Sequence, residues 1–528
     1  MSNRGNLRAN QPAQTARPVA VKASAGHPRH PARVDRGFRF ARQRPLRLAD
    51  GVVPQNETSR AATHLALPVI TASLFRSCTV LLSAGLFVTG CTTPPAAKPA
   101  TAPAGPVTAA SVRGHMTFLA GDALQGRGSG TRDEWIAATY AGSQMQRWGL
   151  EPIDGVEGFV QEIEIERAEA VAAPVLVVGE TRLTHGIDLI VQALGVARLT
   201  GPLQKYQPGV AVTPGALLLL PAAGAPSVAT AGAGALLVVE TPQARTRWTV
   251  LGARMPTTQR ILGTPVVSPA RVILGQAAYD TLSALAEGTA LTLEAELKEP
   301  QKIQTWNAVA QIRGSTASTI LLSAHIDHLG VRPARPEATS PDTIYNGADD
   351  DASGSIAVLE LAQAFVQGPR PKRTLVFALF GSEEAGGFGS RYFADHPTIP
   401  LNRIVANLQF EMIGRPDPAI AAQSLWLTGY ERSTLGPELA RRGAFLVQDP
   451  HPDQSFFTRS DNIQFARRGV IAHTVSSFGL HTDYHQPSDE MRLIDFVHMT
   501  TSINSMVEPI RWLANSDFVP TWLPGQQP

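Results

Sequence analysis

Cysteine is nearly absent from this sequence. The 528 residues include two cysteines, Cys78 and Cys91, and both precede the part of the chain whose hydrophobic pattern indicates a folded domain. A disulfide framework and a cysteine nucleophile are therefore excluded for that domain. Its chemistry must depend on histidine, aspartate, glutamate, serine or tyrosine side chains, or on a bound metal ion.

An excess of charge of either sign is also missing. The formal net charge is +2 and charged residues make up 17% of the chain, which gives no electrostatic basis for binding nucleic acid. Hydrophobic residues make up 43%, which is enough for a large packed core. The length exceeds what one ordinary domain needs, so we expect more than one folded unit.

The first part of the sequence lacks an apolar run long enough to span a membrane. The run from Cys78 to Val88 has about 11 residues, roughly half of what a transmembrane helix needs. It follows Arg76 and leads into VTGC at 88–91, an arrangement that resembles the lipobox of bacterial lipoprotein signals. Such a signal is cut before the cysteine, and a lipid is attached there. The alternatives are an ordinary signal peptide and an uncut membrane anchor.

This signal predicts an exported protein. We expect it to face the periplasm and to be anchored by lipid on Cys91 to the bacterial cell envelope, in the outer membrane. Residues 1–68, in front of the signal, are rich in arginine, proline and alanine and show no sustained apolar period. We therefore expect translation to start near Leu65, Val69 or Leu74, with a genuine disordered extension as the alternative.

The hydrophobic pattern changes along the folded part. Between residues 160 and 300, short apolar runs alternate with glycine and proline, which predicts many short strands. After Trp306, apolar strands alternate with helices, which predicts an α/β fold. We expect a mixed, mostly parallel sheet sandwiched by helices, with an inserted β-rich domain. The predicted divisions are 1–91 for a disordered extension and lipoprotein signal peptide, 92–108 for a proline- and alanine-rich tether, 109–165 for the first part of the catalytic domain, 166–300 for the insert, 301–515 for the rest of the catalytic domain, and 516–528 for a tail.

Histidines and carboxylates gather where the predicted strands of the α/β part end. The site of such a sheet lies beyond the carboxyl ends of its strands, so we expect these side chains to converge. Three carboxylates in a row at 349–351 repel each other unless a cation neutralises them. The alternatives are helix capping there, and acidic residues favouring a helix N-terminus at Glu383 and Glu384. Glu411 stands alone in an apolar run, where it is hard to bury unpaired.

The donor set contains nitrogen and oxygen atoms but no sulfur, which suits zinc. In order along the chain, the blocks resemble those of family twenty-eight of the metallopeptidases, the co-catalytic zinc exopeptidases. The resemblance covers most of residues 110–165 and 303–515. It implies two zinc ions per chain, peptide substrates and an insert of the protease-associated type. The blocks are FLAGDALQGRGSGT, SAHIDHLG, GADDDASG, FGSEEAGGFGS, NLQFEMIGR and DYHQPSDE.

The resemblance also implies roles for single residues. Glu383 is expected to be the general base, Asp327 to support a ligand histidine, and the peptide bond after the bridging aspartate to be cis. We expect His328 and His481 to lie around the site without binding metal. The implied zinc ligands are His325, Asp350 as the bridge, Glu384, Glu411 and His485.

Glu411 leaves the type of exopeptidase open. Many aminopeptidases of the family have aspartate here, and glutamate accompanies carboxypeptidase or deacylase activity in related two-zinc exopeptidases. We expect an aminopeptidase, with a zinc carboxypeptidase or dipeptidase as the first alternative. A glutaminyl cyclase-like acyltransferase and a non-catalytic binding module are further alternatives. The preferred terminal residue, the native metal and the oligomeric state stay open.

Overall fold

The computed structural model describes residues 105–221, 232–264, 269–333 and 341–528. The predicted signal, the VTGC sequence with Cys91 and most of the predicted tether lie outside the described residues. Across these four ranges, no helix combines the length and the hydrophobicity that a membrane span requires.

Helices and strands alternate through the described residues. The strands, in chain order, are β1 (Val160–Glu169), β2 (Val175–Val178), β3 (Thr181–Thr184), β4 (Leu189–Ala193), β5 (Arg198–Lys205), β6 (Leu217–Leu219), β7 (Ala235–Val239), β8 (Thr257–Ile261), β9 (Ala270–Leu274), β10 (Ala290–Glu294), β11 (Gln301–Ile312), β12 (Thr319–His325), β13 (Gly330–Val331), β14 (Ile344–Tyr345), β15 (Thr374–Phe380), β16 (Ile404–Phe410), β17 (Leu425–Leu427), β18 (Leu446–Gln448) and β19 (Ala472–Ser476). The helices are α1 (Ala109–Leu119), α2 (Arg132–Trp148), α3 (Pro242–Thr246), α4 (Trp248–Gly252), α5 (Gln276–Ala284), α6 (Gly354–Val366), α7 (Phe388–Asp395), α8 (Leu435–Arg441), α9 (Asn462–Ala466) and α10 (Phe496–Asn515).

Two large sheets organise these elements. The first has nine strands in the order β18-β17-β19-β16-β12-β15-β11-β1-β8. Its middle strands β15, β12, β16 and β19 are parallel, whereas β11 and β1 run antiparallel to their neighbours. The second has eight strands in the order β3-β2-β10-β5-β6-β7-β9-β4. The predicted mixed, mostly parallel sheet is confirmed for the middle of the first sheet.

Helices cover both faces of the first sheet, as predicted. Along β15, Leu375 and Phe377 face the core shared with α1, α2, α6 and α10, whereas Val376 and Phe380 face the core shared with α7 and α9. This alternation follows from the two-residue period of a strand. Both faces are buried, so the strand sequence TLVFALF is apolar nearly throughout.

Local sequence signals set the ends of α2. The hydroxyl of Thr131 accepts hydrogen bonds from the backbone N–H groups of Asp133 and Glu134, which caps the first turn. Gly149 follows the last turn with φ of 89°, the left-handed conformation that glycine adopts readily. Residues next to α2 in the sequence therefore set both of its ends.

The second sheet and the helices beside it, which lie in the described residues between 175 and 294, form the β-rich unit. One strand within this range, β8, leaves the unit and pairs with β1 at the edge of the first sheet, with Ile165 opposite Ile261. Both isoleucines pack with Phe388 of α7. The predicted boundary at residue 166 falls inside β1, because β1 continues to Glu169. The division of the chain into domains remains a prediction.

Candidate metal centre

The carboxyl ends of three adjacent parallel strands meet at one edge of the first sheet. His325 is the last residue of β12, and Glu411 comes directly after β16. Glu383 and Glu384 follow β15 by three and four residues. Asp350 lies in the turn before α6, which packs on β12. The sheet therefore gathers in space four groups that are far apart in sequence.

His325, Asp350 and Glu411 form the first ligand group. Nε2 of His325 lies 3.2 Å from Oδ1 of Asp350, and the ligand atoms of all three residues lie within 4.8 Å of one another. The other ring nitrogen of His325, Nδ1, lies 3.2 Å from the backbone carbonyl oxygen of Asp327. That contact orients the ring and leaves Nε2 free for a metal ion.

Asp350, Glu384 and two histidines form the second ligand group. Nε2 of His485 lies 3.2 Å from Oδ2 of Asp350 and 3.1 Å from Oε1 of Glu384. Nδ1 of His328 lies 3.0 Å from the same Glu384 oxygen. Asp350 therefore turns one oxygen towards each group, the arrangement expected of a bridge. His328, which the sequence placed outside the ligand set, lies within this group.

Several atoms that face the centre lack a hydrogen-bond partner among the described residues. They are buried, and they include Oδ2 of Asp350, Oε1 of Glu384, Oε2 of Glu411 and both ring nitrogens of His328. Buried polar atoms are rarely left unpaired, because each one costs about 1–3 kcal/mol. Divalent cations bound in the two ligand groups would satisfy these carboxylate oxygens, and a set of histidine nitrogens and carboxylate oxygens fits zinc.

Burial and neighbouring charges perturb the carboxyl and imidazole groups of the centre. Burial raises the pKa of Glu383 well above its usual value, and nearby carboxylates add to the effect. Burial and the charge of Asp350 act to raise the pKa of Glu384. The contacts with His328 and His485 have the larger, opposite effect and lower this pKa to about 2. His485 has its pKa lowered by burial and raised more strongly by Asp350 and Glu384, to about 10. The carboxylates of the centre lie close enough to repel one another, so a positive charge among them would stabilise the centre.

Asp351 ties the ends of two strands to the turn before α6. Its carboxylate accepts hydrogen bonds from the backbone N–H groups of His325 at 3.2 Å, Gly354 at 2.9 Å and Met412 at 3.1 Å. It therefore fixes the backbone beside three ligands. The peptide bond between Asp350 and Asp351 is cis, as the resemblance implies.

Asp327 supports the centre in two ways. Its backbone carbonyl faces His325, and its carboxylate accepts hydrogen bonds from the backbone N–H groups of Glu383 at 2.9 Å and Glu384 at 3.2 Å. The hydroxyl of Ser129 also donates to this carboxylate. The Asp327 carboxylate thus holds the turn that carries both glutamates, whereas its distance to Nδ1 of His325 is 3.7 Å.

Arg127 is a supporting residue that the sequence did not reveal. Its side chain is fully buried. It donates hydrogen bonds to the backbone carbonyls of Ile326 at 2.9 Å, Asn346 at 2.6 Å and Gly347 at 3.1 Å. It therefore joins the loop after His325 to the turn before Asp350. Its signal in the sequence was its place in the block FLAGDALQGRGSGT, to which no role at the centre was assigned.

Three residues beside the centre have a strained backbone. Ser382, Met412 and His485 have positive φ values of 53°, 51° and 56°, which non-glycine residues rarely adopt. Ser382 is held there by the buried carboxylate of Glu134, which accepts its backbone N–H at 2.7 Å. Each of these residues is, or adjoins, a predicted ligand or base.

Two cavities flank the centre. The aromatic pocket adjoins Glu411, and the polar cleft, of about 310 Å³, adjoins Glu384. The aromatic pocket is lined mainly by Met412, Trp426, Phe456, Arg459, Phe478 and Tyr484. The polar cleft is lined among others by Ser129, Arg167, Gln259, His328 and Arg332.

Residues 307–507 match the sequence profile of peptidase family M28. This segment belongs to that family. The M28 segment contains every residue that the sequence predicted as a metal ligand or as the base.

Similarity to curated proteins is confined to part of the chain. The probable lipoprotein aminopeptidase LpqL of Mycobacterium tuberculosis is 32% identical over 120 residues, which are 22% of this chain and 21% of that protein. Leupeptin-inactivating enzyme 1 of Streptomyces exfoliatus is 33% identical over 116 residues, 21% of this chain and 24% of that protein. The chain thus spans about a fifth to a quarter of the length of these relatives.

Solved structures that resemble this chain include the aminopeptidase from Aneurinibacillus sp. strain AM-1. It is 18% identical with a TM-score of 0.48, and the match covers 78% of this chain and 95% of that chain. BSAP, a zinc aminopeptidase from Bacillus subtilis, is also 18% identical, with a TM-score of 0.44 and coverage of 78% and 97%.

Proposed function

We propose that this chain is a zinc exopeptidase of the aminopeptidase type that binds two zinc ions. The observation that carries the proposal is Asp350, whose two carboxylate oxygens face two separate groups of histidine and carboxylate ligands. Membership of the segment 307–507 in peptidase family M28 supports it. The ligands are His325, Asp350 and Glu411 for the first ion, and Asp350, Glu384 and His485 for the second.

Glu383 is the general base in this mechanism. Two bound zinc ions would lower the pKa of a water molecule and polarise the scissile carbonyl. Glu383 takes the proton as the water attacks and returns it to the departing amine. Its position supports this role, because Glu383 directly precedes the proposed ligand Glu384 in the turn after β15. The Asp327 carboxylate keeps the Glu383 backbone in place.

The aromatic pocket supports an apolar terminal residue as the substrate group. Met412, Trp426 and Phe456 present apolar surface directly beside Glu411. A terminal side chain in this pocket would bring its own free amine and peptide bond to the metal centre. The printed names of LpqL and of several matching leucine aminopeptidases favour the same type of reaction.

A zinc carboxypeptidase or dipeptidase is the second candidate. Arg459 lines the aromatic pocket near Glu411, and a guanidinium group binds a carboxylate well. A free carboxyl terminus of a substrate would suit that position. Glu411, with its longer side chain than aspartate, favours the same alternative.

The type of exopeptidase is tested with blocked substrates. The full chain, loaded with zinc, is assayed with leucine p-nitroanilide, with its N-acetylated analogue and with an N-acetylated dipeptide that has a free carboxylate. Cleavage of the free-amine substrate alone, abolished by a chelator, is expected. Cleavage of the acetylated dipeptide alone would contradict the aminopeptidase and establish the carboxypeptidase.

The location of the enzyme is a further part of the proposal. We propose export and lipid attachment at Cys91, with the enzyme facing the periplasm from the outer membrane. VTGC at 88–91 supports this, as does the relative named a probable lipoprotein aminopeptidase. Intact mass and membrane fractionation of the mature protein test it. The substitution Cys91→Ser should release the protein from membranes, and unchanged membrane association would contradict the anchor.

The β-rich unit is proposed to shape the substrate cleft. Through β8 it contributes Gln259 to the polar cleft, which His328 and Glu384 also line. We therefore expect this unit to influence which peptides reach the centre, and not to take part in bond cleavage.

A further inference from the structure

His328 lies where a metal ligand would lie, although it is outside the implied ligand set. Its side chain is fully buried. Nδ1 is 3.0 Å from Oε1 of Glu384 and 3.8 Å from Oδ2 of Asp350, two atoms of the second ligand group. The backbone of His328 is fixed by hydrogen bonds with the carbonyl of Arg127 and the N–H of Ser129.

Four separations among these atoms are close to those of a tetrahedral zinc site. Ligands that bind zinc at about 2.0–2.1 Å in a tetrahedron lie roughly 3.3 Å from each other. The separations from His328 to Glu384 and to Asp350 are 3.0 and 3.8 Å, and those from His485 to the same two atoms are 3.1 and 3.2 Å. Each histidine therefore stands in the same relation to the two carboxylates.

No hydrogen bond explains the position of His328. Neither of its ring nitrogens has a partner with acceptable hydrogen-bond geometry among the described residues, despite the short distance to Glu384. A metal ion between Nδ1 of His328 and Oε1 of Glu384 would have both atoms as ligands. A histidine that merely supported a ligand would be expected to bond that ligand directly.

The backbone leaves the ring little room to lie elsewhere. Gly347 has φ of 55°, and a Cβ atom at this position would lie 2.5 Å from Cγ of His328. The imidazole therefore packs directly against the backbone of the turn that leads to Asp350, and glycine at 347 permits this approach.

We propose that His328 is a fourth protein ligand of the second zinc ion, together with Asp350, Glu384 and His485. This inference rests on the proposed two-zinc function. It makes the two ions unequal. The second site has four protein ligands, whereas the first has three, His325, Asp350 and Glu411, and so has more room for water or substrate. The first ion is then the one that a chelator removes first.

Cobalt spectroscopy on a cysteine variant tests the contact directly. The substitution His328→Cys places a thiolate at the proposed ligand position, and a thiolate bound to Co²⁺ gives a charge-transfer absorption band in the near ultraviolet. The same form of the chain is used throughout, so any cysteine that the variants share contributes equally to every spectrum. The matched control is His115→Cys, a buried histidine that contacts Tyr140 and Glu360 instead of the centre.

We expect the additional absorption band in the spectrum of His328→Cys. The spectra of the wild type and of His115→Cys should lack this band. Uptake of two cobalt ions by wild type and by His328→Cys without the band would overturn this inference and leave the proposed function intact. Failure of the wild type to bind cobalt or zinc would overturn both.

A second variant covers the case in which the cysteine protein does not fold. His328→Ala should release one of its two zinc ions to a chelator at least about 10- to 100-fold faster than the wild type, since loss of a group that merely supports a ligand already has an effect of this size. His115→Ala should release both ions at wild-type rates. Equal release from His328→Ala and wild type would contradict the ligand role.

Discussion

The β-rich unit and the M28 segment both fold around apolar sheets, but they differ in the polar groups that they bury. Among the described residues of the β-rich unit, the buried polar side chains are His185 and Gln204, and backbone groups satisfy both. The M28 segment buries a cluster of carboxylates and histidines whose inner atoms have no hydrogen-bond partner. In the part of the β-rich unit that the structure describes, the first arrangement leaves one buried side-chain atom unpaired, Oε1 of Gln259 in β8. The second leaves several carboxylate oxygens unpaired at one place and needs a cation.

The largest effect that should separate the two regions is on turnover. Glu383→Gln removes the proton acceptor but keeps the shape of the side chain, so kcat should fall roughly 10²–10⁴-fold. Steady-state kinetics and zinc analysis of the same preparation measure this. Zinc content should stay at the wild-type level, because Glu383 is not a ligand. Glu294→Gln, in β10 of the β-rich unit, is the control and should leave kcat unchanged. Loss of zinc from Glu383→Gln would contradict the assigned role.

Removal of zinc should destabilise the M28 segment much more than the β-rich unit. A ligand present at 1,000 times its Kd stabilises the folded state by about 4 kcal/mol. Hydrogen exchange of the zinc-loaded and chelated protein measures the effect region by region. Amides of β12 and β16 should exchange faster after chelation, whereas those of β6 and β7 should be unchanged. Equal acceleration in both regions would show that the two are not energetically distinct.

Arg127→Met tests the support of the centre without altering a ligand. The substitution leaves three or more buried carbonyl groups without their hydrogen-bond donors. Each unpaired carbonyl lowers the free energy of unfolding by about 1–3 kcal/mol. The free energy of unfolding should therefore fall by about 3 kcal/mol or more, with weaker zinc binding. The control variant Arg182→Met, at an exposed position of β3, should change the free energy of unfolding by about 0.5 kcal/mol or less. Denaturant unfolding measures both, and a similar small change in the two variants would refute the role of Arg127.

The smallest expected effect is on the pH dependence of stability. Burial raises the pKa of Glu360 to about 7 and lowers that of its neighbour His115 to about 4. The folded state holds the proton of Glu360 more tightly than the unfolded state does, so this group's stabilisation is lost as pH rises from about 4.5 to 7. His115 acts oppositely, because its folded state resists protonation and stability is lost as pH falls from 6.5 towards 4.

Glu360→Gln should therefore leave only the His115 contribution. Its Tm should rise with pH between 4 and 6.5 more steeply than that of the wild type, by an amount on the order of 1 kcal/mol in stability. Calorimetry across this pH range measures the difference. Parallel Tm profiles for the variant and the wild type would contradict the buried, proton-holding carboxyl group.

The same contrast between the two regions explains what the sequence could predict. The strands β12, β15 and β16 are short apolar runs whose ends carry His325, Glu384 and Glu411, so both the α/β fold and the convergence of these residues followed from periodicity and position. β8 could not be assigned to the first sheet, since its partner β1 is about 90 residues away and strand pairing leaves no local mark.

Side-chain support at the centre was also beyond the sequence. Arg127 and Glu134 act through backbone groups of residues that are distant along the chain, and their loop and helix contexts gave no sign of this. His328 lies one residue after Asp327, and only the turn against Gly347 directs its ring towards Asp350 and Glu384. The ligand roles themselves remain predictions.

Zinc analysis of the full chain and of Asp350→Ala tests the shared two-metal centre most directly. Because Asp350 faces both ligand groups, the wild type should contain two zinc ions per chain, and Asp350→Ala should lose most of both while Glu294→Gln keeps them. Retention of one firmly bound ion by Asp350→Ala, or the absence of zinc from the wild type, would contradict a centre bridged by Asp350.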